Sequence, residues 1–353
     1  MAINLKNVKV NVPQVKIEDY FWVLAGIPKA GKTSLFAKLT EEYFGDISKS
    51  LLLAFEKGYQ ALRVQAVDIN EWDDVEEAVD QLVDDKDELG IEFVGIDTAD
   101  IMWEMAQASV IEEWNRKNPN KRTNDIGGVG AKGTSTQGFG LGYNLAKQKV
   151  RGVIDRLQKA GYGIMVLTHS KDKKVEQRDG EEYDQLSLSL PSSAREIFVN
   201  AADFIMFITI EKEKSGKEVE TKRYMYFRTD GYVEAGSRFT NVPEKIEYDV
   251  HGLLDVFKTA VTSEFESKED MKEAEKVQAA EKEQRVQEYI EQRKNAVTPN
   301  DLIAQLEEKL NDMEKSKKLK LAKKFKEIGG SIDFKTFDSV EMLQQCLDAV
   351  NEI

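Results

Sequence analysis

Gly26-Ile27-Pro28-Lys29-Ala30-Gly31-Lys32-Thr33 is the stretch that decides the fold of this chain. It matches the P-loop pattern, in which four residues separate two glycines and a lysine and a threonine follow. The apolar run at 20–25 before it is typical of a strand, and the residues at 34–39 after it have the apolar spacing of a helix. Because strand, glycine-containing turn and helix start occur in this order, a chance match in an ordinary turn is the weaker alternative.

The residues of this stretch predict contacts to a nucleoside triphosphate. Backbone N–H groups of the loop and of the helix N-terminus form a nest for phosphate oxygens. Lys32 would neutralise the β and γ oxygens, and the Thr33 hydroxyl would bind Mg²⁺. The predicted cofactors are therefore ATP and Mg²⁺. The predicted nucleotide-binding residues of the loop are Gly26, Pro28, Lys29, Ala30, Gly31, Lys32, Thr33 and Ser34.

Two carboxylates follow apolar runs further along the chain. Asp97 directly follows the run at 91–96. A carboxylate at this position reaches Mg²⁺ or its water ligand, although an aspartate there can also cap the next helix. Glu56 directly follows the run at 50–55. A carboxylate there could orient the attacking water, or it could lie in a surface turn. We treat Glu56 and Lys32 as candidate catalytic residues, and Thr33 and Asp97 as candidate metal ligands.

His169 follows the apolar run at 163–168. Ligands of open α/β sheets bind beyond the carboxyl ends of the strands, so a polar side chain there would lie near the γ-phosphate. His169 could distinguish ATP from ADP and pass that state to the basic segment that follows it. The alternative is a histidine with a purely structural hydrogen bond.

Apolar runs alternate with amphipathic helices from residue 20 onward, which predicts an α/β fold with a mostly parallel central sheet flanked by helices. Strands are predicted at 21–25, 50–55, 91–96, 163–168 and 204–208, and a hairpin arm at 222–228. Helices are predicted at 32–44, 72–89, 99–116, 142–160 and 192–200. A small strand is also predicted near Val8, Val10 and Val12.

Composition limits the class of protein. The 353 residues leave room for about two domains, and the 41% hydrophobic content supports a sizeable core. A single cysteine, Cys346, fits a reducing cytosol and lies on an apolar helical face, which favours a packed thiol. Two histidines are too few for a zinc site of His and Cys ligands. We see neither a membrane-spanning run nor a signal pattern, so no membrane partner is expected and the predicted location is cytoplasmic.

Charge is unevenly placed. The net charge of −14 argues against a surface generally adapted to nucleic acid but allows local basic patches. Residues 71–92 hold eleven acids and one base, which predicts the solvated face of a helix. Two long connections, 117–141 and 170–189, are locally basic, and loops of this length in a compact domain are usually functional or disordered.

The composition changes after about residue 262. We predict a core at 1–262 with its nucleotide motifs at 20–240, a charged helical linker at 263–296, and a small helical module at 297–353. Within this α-helical extension, residues 315–326 carry seven lysines and no acid. Those lysines could bind nucleic acid or an acidic partner, or they could be the wet face of a docked helix.

These motifs together resemble the RecA-like P-loop ATPase core rather than the AAA+ type, and in particular the phage-type RecA/Rad-like single-strand annealing proteins or recombinases. The resemblance covers about residues 18–240, and His169 departs from the glutamine that RecA itself often carries. The residues that carry the resemblance are the P-loop from Pro28 to Thr33, Leu53-Ala54-Phe55-Glu56, Gly95-Ile96-Asp97-Thr98, Val166-Leu167-Thr168-His169, and Leu190 to Arg195 with Ala202-Asp203.

The resemblance implies that 117–141 and 170–189 match two DNA-binding loops in position. Lysines and arginines would then contact phosphates and aromatic rings would stack on bases, unless those rings only pack on the domain. The implied basic residues are Lys121, Arg122, Lys132, Lys171, Lys173 and Lys174, and the aromatic ones are Phe139, Tyr143 and Tyr183.

The resemblance also implies a head-to-tail homo-oligomer, a ring or a filament, in which a neighbour supplies a cation to the γ-phosphate. Arg228 is the candidate for that cation and Arg223 is the second choice.

Three functions fit the sequence. The first is an ATP-dependent, single-stranded-DNA-binding protein of phage DNA recombination, annealing or repair, whose ATPase activity DNA stimulates; its location would be the host cytoplasm. The second is a hexameric helicase or translocase of DNA replication. The third is a nucleotide-switched assembly or regulatory ATPase that does not act on DNA. In each of them the module at 297–353 could recruit a protein partner.

Overall fold

The computed structural model describes residues 11–130, 140–176, 180–215, 218–263, 268–295, 299–311, 313–337 and 339–351. The predicted strand near residues 8–12 lies largely outside this part of the chain. The strands are β1 Phe21–Gly26, β2 Ser50–Ala54, β3 Ala66–Asp68, β4 Phe93–Asp97, β5 Gly163–Glu176, β6 Glu182–Leu188, β7 Phe204–Ser215, β8 Glu218–Tyr226, β9 Gly236–Ser237 and β10 Lys245–Glu247. The helices are α1 Lys32–Phe44, α2 Trp72–Asp84, α3 Lys86–Leu89, α4 Ala99–Lys117, α5 Leu141–Lys159, α6 Ser192–Ala201, α7 Val250–Thr262, α8 Lys268–Lys294, α9 Pro299–Asn311, α10 Lys315–Gly329 and α11 Val340–Asn351.

The strands form one sheet in the order β10-β8-β7-β1-β5-β4-β2-β3, with β6 paired to β5 and β9 paired to β7. The strands from β7 to β3 run parallel, and β8 and β10 add antiparallel strands at one edge. The P-loop strand β1 lies between β5 and β7, so β5 separates it from β4. This arrangement is a RecA-like P-loop NTPase core, as the sequence predicts.

Strand β1 lies in the middle of the sheet, and all six of its residues are buried. Val23 and Ala25 join the core on one face of the sheet, with helices α2, α4, α5 and α6. Trp22 and Leu24 join the core on the other face, with α1 and α7. Strands covered by helices on both sides are apolar throughout, so their sequence signal is strong. The carboxyl end of β1, where the P-loop begins, is therefore held by a rigid scaffold.

The segment 170–189, predicted as a loop, instead forms a β-hairpin. Strand β5 continues past its buried part to Glu176, and β6 returns antiparallel to it, with pairs from Ser170–Leu188 to Glu176–Glu182. Residues 171–174 are exposed on both faces of this ladder. A two-stranded ribbon in solvent has no apolar alternation, which explains why the sequence pattern missed it. The predicted hairpin arm at 222–228 is confirmed in β8, which pairs with β7.

The chain forms two compact units, Met1–Ile290 and Glu291–Ile353. Their division falls inside the segment 263–296, and the predicted boundaries at 262 and 296 remain predictions. Helix α8 occupies most of that segment, and before the division Val286 and Ile290 are buried. In the described residues no helix is both long enough and apolar enough to cross a bilayer.

The second unit packs α9, α10 and α11 around a small apolar core. Leu321 and Phe325 of α10 are buried in it, and Cys346 of α11 is buried as predicted. Burial raises the pKa of the Cys346 thiol to about 11, so the thiol is an apolar packing group at neutral pH. Leu319, on the opposite side of α10 from this core, is 69% exposed.

Candidate nucleotide site

The P-loop joins β1 to α1 in a tight turn. The Ala30 N–H donates to the Ile27 carbonyl at 3.1 Å, and Lys29 and Gly31 both have positive φ angles, 65° and 110°. Gly31 is the N-cap of α1, and no side chain caps that helix end. The first N–H groups of α1 therefore have no side-chain acceptor, and a phosphate is the anion that this geometry suits.

Lys32 lies under the loop with a buried side chain. Its ammonium Nζ donates to the carbonyls of Gly26 at 3.0 Å and Ile27 at 3.3 Å, and lies 3.4 Å from Nδ1 of His169. Burial lowers the pKa of Lys32, and the carboxylates of Asp97, Glu56 and Asp100 oppose that shift. Backbone carbonyls thus hold the cation at the place where phosphate oxygens would enter.

Thr33 and Asp97 meet at the first turn of α1. The Thr33 hydroxyl donates to Oδ2 of Asp97 at 2.7 Å, and Asp97, the last residue of β4, is only 3% exposed. Burial raises the pKa of Asp97, against the hydrogen bond from Thr33. The described residues contain no cluster of three or more His, Cys, Asp or Glu side chains able to hold a metal. A hydroxyl and one carboxylate fit Mg²⁺, which keeps water and phosphate ligands besides a few protein oxygens.

Glu56 lies at the same edge of the sheet, just beyond β2. Its backbone N–H donates to the Asp97 carbonyl at 3.2 Å, which ties the segment after β2 to the end of β4. Its side-chain Oε1 accepts from the Thr98 hydroxyl at 3.2 Å and lies 3.2 Å from Nε2 of His169. Among the described residues none donates a hydrogen bond to the other carboxylate oxygen, Oε2, and the side chain is 40% exposed, so Oε2 is open to water. The roles of Glu56 and Asp97 in hydrolysis remain predictions.

His169 is the residue that joins the two halves of the site. It is paired with Gly26 across β5 and β1, and its ring lies between Lys32 and Glu56. The backbone N–H of His169 donates to Oδ2 of Asp100 at 2.9 Å. A side chain with hydrogen-bonding partners on both ring nitrogens has a fixed orientation. His169 thus contacts the P-loop lysine, and its role in sensing the γ-phosphate remains a prediction.

The two candidate arginines lie in different surroundings. The Arg228 guanidinium donates to the carbonyls of Val242, Phe239 and Thr240 in the loop before β10. Arg223 instead reaches the outer side of the P-loop, where it lies 3.5 Å from the Ala30 carbonyl and stacks over the Tyr248 ring at 4.5 Å. Arg228 therefore holds a loop of its own chain, and its action on a neighbouring subunit remains a prediction.

The predicted DNA-binding residues lie in separate parts of the structure. Lys121 and Arg122 lie at the end of a 3-10 turn after α4, and Arg122 lines an open cavity of about 640 Å³ beside that helix. Tyr143 is exposed in the first turn of α5. Lys132 and Phe139 fall between the described ranges. The three lysines 171, 173 and 174 all lie on the hairpin of β5 and β6.

This hairpin has two unlike faces, because side chains alternate along a strand and directly paired residues share a face. Lys171, Lys173 and Tyr183 lie on one face, and Tyr232 packs edge-on against Tyr183 with ring centroids 5.8 Å apart. We call these four residues the basic–aromatic face. The other face carries Lys174 among four acids, and its ammonium lies 3.6 Å from the Glu182 carboxylate. Those acids are Asp172, Glu176, Glu182 and Asp184.

Sequence patterns missed two residues of this region. Tyr232 is 64% exposed and comes from the loop after β8, which the sequence did not link to 170–189. Asp100, in the first turn of α4, accepts hydrogen bonds from Thr168, His169 and Ser189. Asp100 lies three residues after Asp97, at a helix N-terminus. Acidic residues are common there, so the position of Asp100 in the sequence did not single it out.

Comparison with known proteins gives a family match over most of the first unit. A family model described as an AAA domain matches residues 19–239. Among solved structures, the chain is similar to a KaiC-like protein of the hyperthermophilic archaeon Pyrococcus horikoshii OT3, with 13% identity and a TM-score of 0.35 over 66% of this chain and 91% of that chain. No curated protein matches the sequence significantly.

Proposed function

The chain belongs to the AAA-domain family of P-loop ATPases, and we propose that it is a Mg²⁺-dependent ATPase that binds single-stranded DNA. Its role would be in phage DNA recombination, annealing or repair, in the cytoplasm of the host. The observation that carries the ATPase part is the convergence of Lys32, Thr33, Glu56, Asp97 and His169 at the carboxyl edge of four strands.

The site supports an in-line attack of water on the γ-phosphate. The P-loop N–H groups and Lys32 would hold the phosphates, and Thr33 and Asp97 would hold Mg²⁺. When bound, Mg²⁺ would neutralise charge on the β and γ oxygens. Thr98 and His169 fix one oxygen of the Glu56 carboxylate, and the free oxygen would accept a hydrogen bond from the attacking water.

The basic–aromatic face supports the DNA part of the proposal. Single-strand sites combine cations along the backbone with rings on which bases stack. Lys171 and Lys173 supply the first element, and Tyr183 with Tyr232 supplies the second. The face begins two residues after His169 in the same strand, so a nucleotide contact and a DNA contact would share one β-strand.

Phosphate release by the full chain, with and without a single-stranded oligonucleotide, tests both parts. We expect Mg²⁺-dependent hydrolysis that the oligonucleotide stimulates and that Lys32→Ala abolishes, because the phosphates lose their buried cation. The matched control is Lys49→Ala, since Lys49 is exposed at the other end of β2. Absence of hydrolysis with Mg²⁺ would reject the ATPase proposal.

Two further outcomes separate the alternatives. Hydrolysis without any effect of DNA, and without DNA binding, would instead support a regulatory ATPase. Unwinding of forked DNA would support a helicase.

A further inference from the structure

Asp100 receives three hydrogen bonds from two different segments. Its Oδ2 accepts from the Thr168 hydroxyl at 2.8 Å and from the His169 N–H at 2.9 Å, and its Oδ1 accepts from the Ser189 hydroxyl. Thr168 and His169 lie where β5 leaves the buried sheet, and Ser189 follows the last residue of β6. One carboxylate thus joins both strands of the hairpin to the start of α4.

The same point is the root of the hairpin. The Ser189 N–H donates to the His169 carbonyl at 2.9 Å, which closes the ladder below the pair of Ser170 and Leu188. The hydroxyl of Ser170 is buried without a hydrogen-bond partner among the described residues. Asp100 thus bonds to β5 and to the residue after β6 where the two strands leave the sheet.

Asp100 is also tied to the predicted metal site. Asp97 ends β4 and contacts Thr33. Three residues later, in the first turn of α4, Asp100 contacts His169. A shift of the Asp97 segment on binding Mg²⁺ and nucleotide would move the start of α4 with it. The three hydrogen bonds of Asp100 would carry that movement to both strands of the hairpin.

We propose that Asp100 is a positioning residue: it orients His169 beside Lys32 and Glu56, and it transmits nucleotide binding to the hairpin. This rests on the proposed nucleotide site but not on DNA binding. The coupling is physical, because Asp100 belongs to the segment after the predicted metal ligand and its side chain contacts the root of a two-stranded arm.

Amide hydrogen exchange on the full chain tests this, with and without saturating Mg²⁺ and a non-hydrolysable ATP analogue. In the wild type we expect the nucleotide to change exchange at 170–176 and 182–188. Asp100→Ala removes all three acceptor contacts, so this nucleotide-dependent change should disappear. Its kcat should fall about tenfold to a hundredfold, the usual cost of losing a residue that orients a site residue, with KM within threefold.

Asp100→Asn is the conservative variant that separates hydrogen bonding from charge. Its amide oxygen can accept from Thr168 and His169, and its NH₂ can donate to Ser189 if that hydroxyl turns to accept. We expect it to restore most of the exchange response and of kcat. An Asn variant as impaired as the Ala variant would overturn the proposal, because charge rather than hydrogen bonding would then be responsible.

Asp203→Ala is the matched control. Asp203 also accepts a backbone N–H, from Phe21 at 2.8 Å, but at the amino end of β1. Its loss should lower stability and leave the exchange response of the hairpin intact. If Asp100→Ala does not fold, Ser189→Ala removes only the contact to β6, and a reduced response at 182–188 is expected.

The outcomes distinguish this inference from the proposed function. A chain that binds the analogue but not DNA rejects the DNA role alone. An unchanged hairpin in the wild type with bound analogue, or a full response in Asp100→Ala, overturns the positioning role while the ATPase stands. A chain that does not bind nucleotide overturns both.

Discussion

Burial determines the chemistry of individual residues in this site. Lys32 and Asp97 are both buried, and burial disfavours their charged forms, so it lowers the pKa of the lysine and raises the pKa of the aspartate. Charged groups held out of water in a fixed geometry act strongly on a bound phosphate. Without nucleotide, these buried charges lower the stability of the folded protein, so a neutral replacement can raise it.

Asp97→Asn should stabilise the nucleotide-free protein at neutral pH. Because the folded-state pKa of Asp97 is raised, its favourable contribution is complete below the unfolded-state pKa and is lost as pH rises through the folded-state pKa. At pH 7 the charged group therefore costs stability, which Asn avoids while its oxygen still accepts from Thr33. We expect a gain of about 1 kcal/mol at pH 7.

Thermal unfolding of Asp97→Asn should be followed between pH 4 and pH 8. The gain in melting temperature should shrink toward acid pH, where wild-type Asp97 also becomes neutral. The same variant should lose Mg²⁺-dependent hydrolysis. A variant less stable than wild type at pH 7 would contradict this account of Asp97.

Glu56→Gln should separate binding from hydrolysis. The amide keeps the size of the side chain and a carbonyl oxygen for Thr98 but cannot accept a proton from water. We expect kcat to fall about 10²–10⁴-fold, the range for loss of a general base, with nucleotide affinity nearly unchanged. Glu77→Gln is the control, because Glu77 lies on the exposed face of α2. Normal turnover in Glu56→Gln would place the base elsewhere.

At the scale of elements, strands with two buried faces are predictable from sequence, and exposed ribbons are not. The strands that end at or just before Gly26, Glu56 and Asp97, and the strand β5 that carries His169, each appear where an apolar run occurs. Their carboxyl ends meet at one edge because the strands are parallel, so these site residues could be grouped before the structure. The hairpin at 170–188 could not be predicted, because residues 171–174 are exposed on both of its faces and leave no apolar alternation.

Contacts between side chains and distant loops were also beyond the sequence. The sequence predicts Arg228 on the hairpin arm at 222–228, but β8 ends at Tyr226, and the Arg228 guanidinium donates to carbonyls at 239–242. Which carbonyls are free depends on the path of the loop before β10, and no local pattern encodes that path. The contact of Asp100 with Ser189 likewise depends on the position of β6.

The hairpin allows a test within one element. If its basic–aromatic face binds single-stranded DNA, Tyr183→Ala and Tyr232→Ala should each weaken binding by about 1–3 kcal/mol, the usual value of one base stacked on a ring. Lys173→Gln should weaken it too and should lower its salt dependence. Lys174→Gln is the matched control, because Lys174 lies on the acidic face beside Glu182.

Fluorescence anisotropy with a labelled oligonucleotide measures these affinities at several salt concentrations. Equal effects of Lys173→Gln and Lys174→Gln would show that only the overall charge matters. Full affinity in both tyrosine variants would exclude stacking on this face.

At the scale of the whole molecule, the net charge of −14 contrasts with the lysine-rich helix α10. Lys320, Lys323 and Lys326 are exposed on the side of α10 that carries Leu319, and none of the three has an ion-pair partner in the described residues. We call these three the α10 lysines. They fit a polyanion contact as well as a solvated face.

Changing the α10 lysines together to Gln in the full chain decides between these alternatives. If each contacts one phosphate of single-stranded DNA, the slope of log affinity against log salt should fall by about 2, since each contact contributes about 0.7. The matched control changes Lys16, Lys212 and Lys258, which are also exposed. An unchanged slope would show that the α10 lysines do not contact DNA and are only the solvent-exposed face of a packed helix.

The site also has a thermodynamic consequence, because its residues come from four strands between Gly26 and His169. No short fragment contains it, so nucleotide can bind only when the first unit is folded. By linkage, ligand at a hundred times its dissociation constant stabilises that unit by about 2.7 kcal/mol. The second unit has its own core and contributes no site residue. Calorimetry should therefore resolve two transitions, and Mg²⁺ with an ATP analogue should raise the melting temperature of only one.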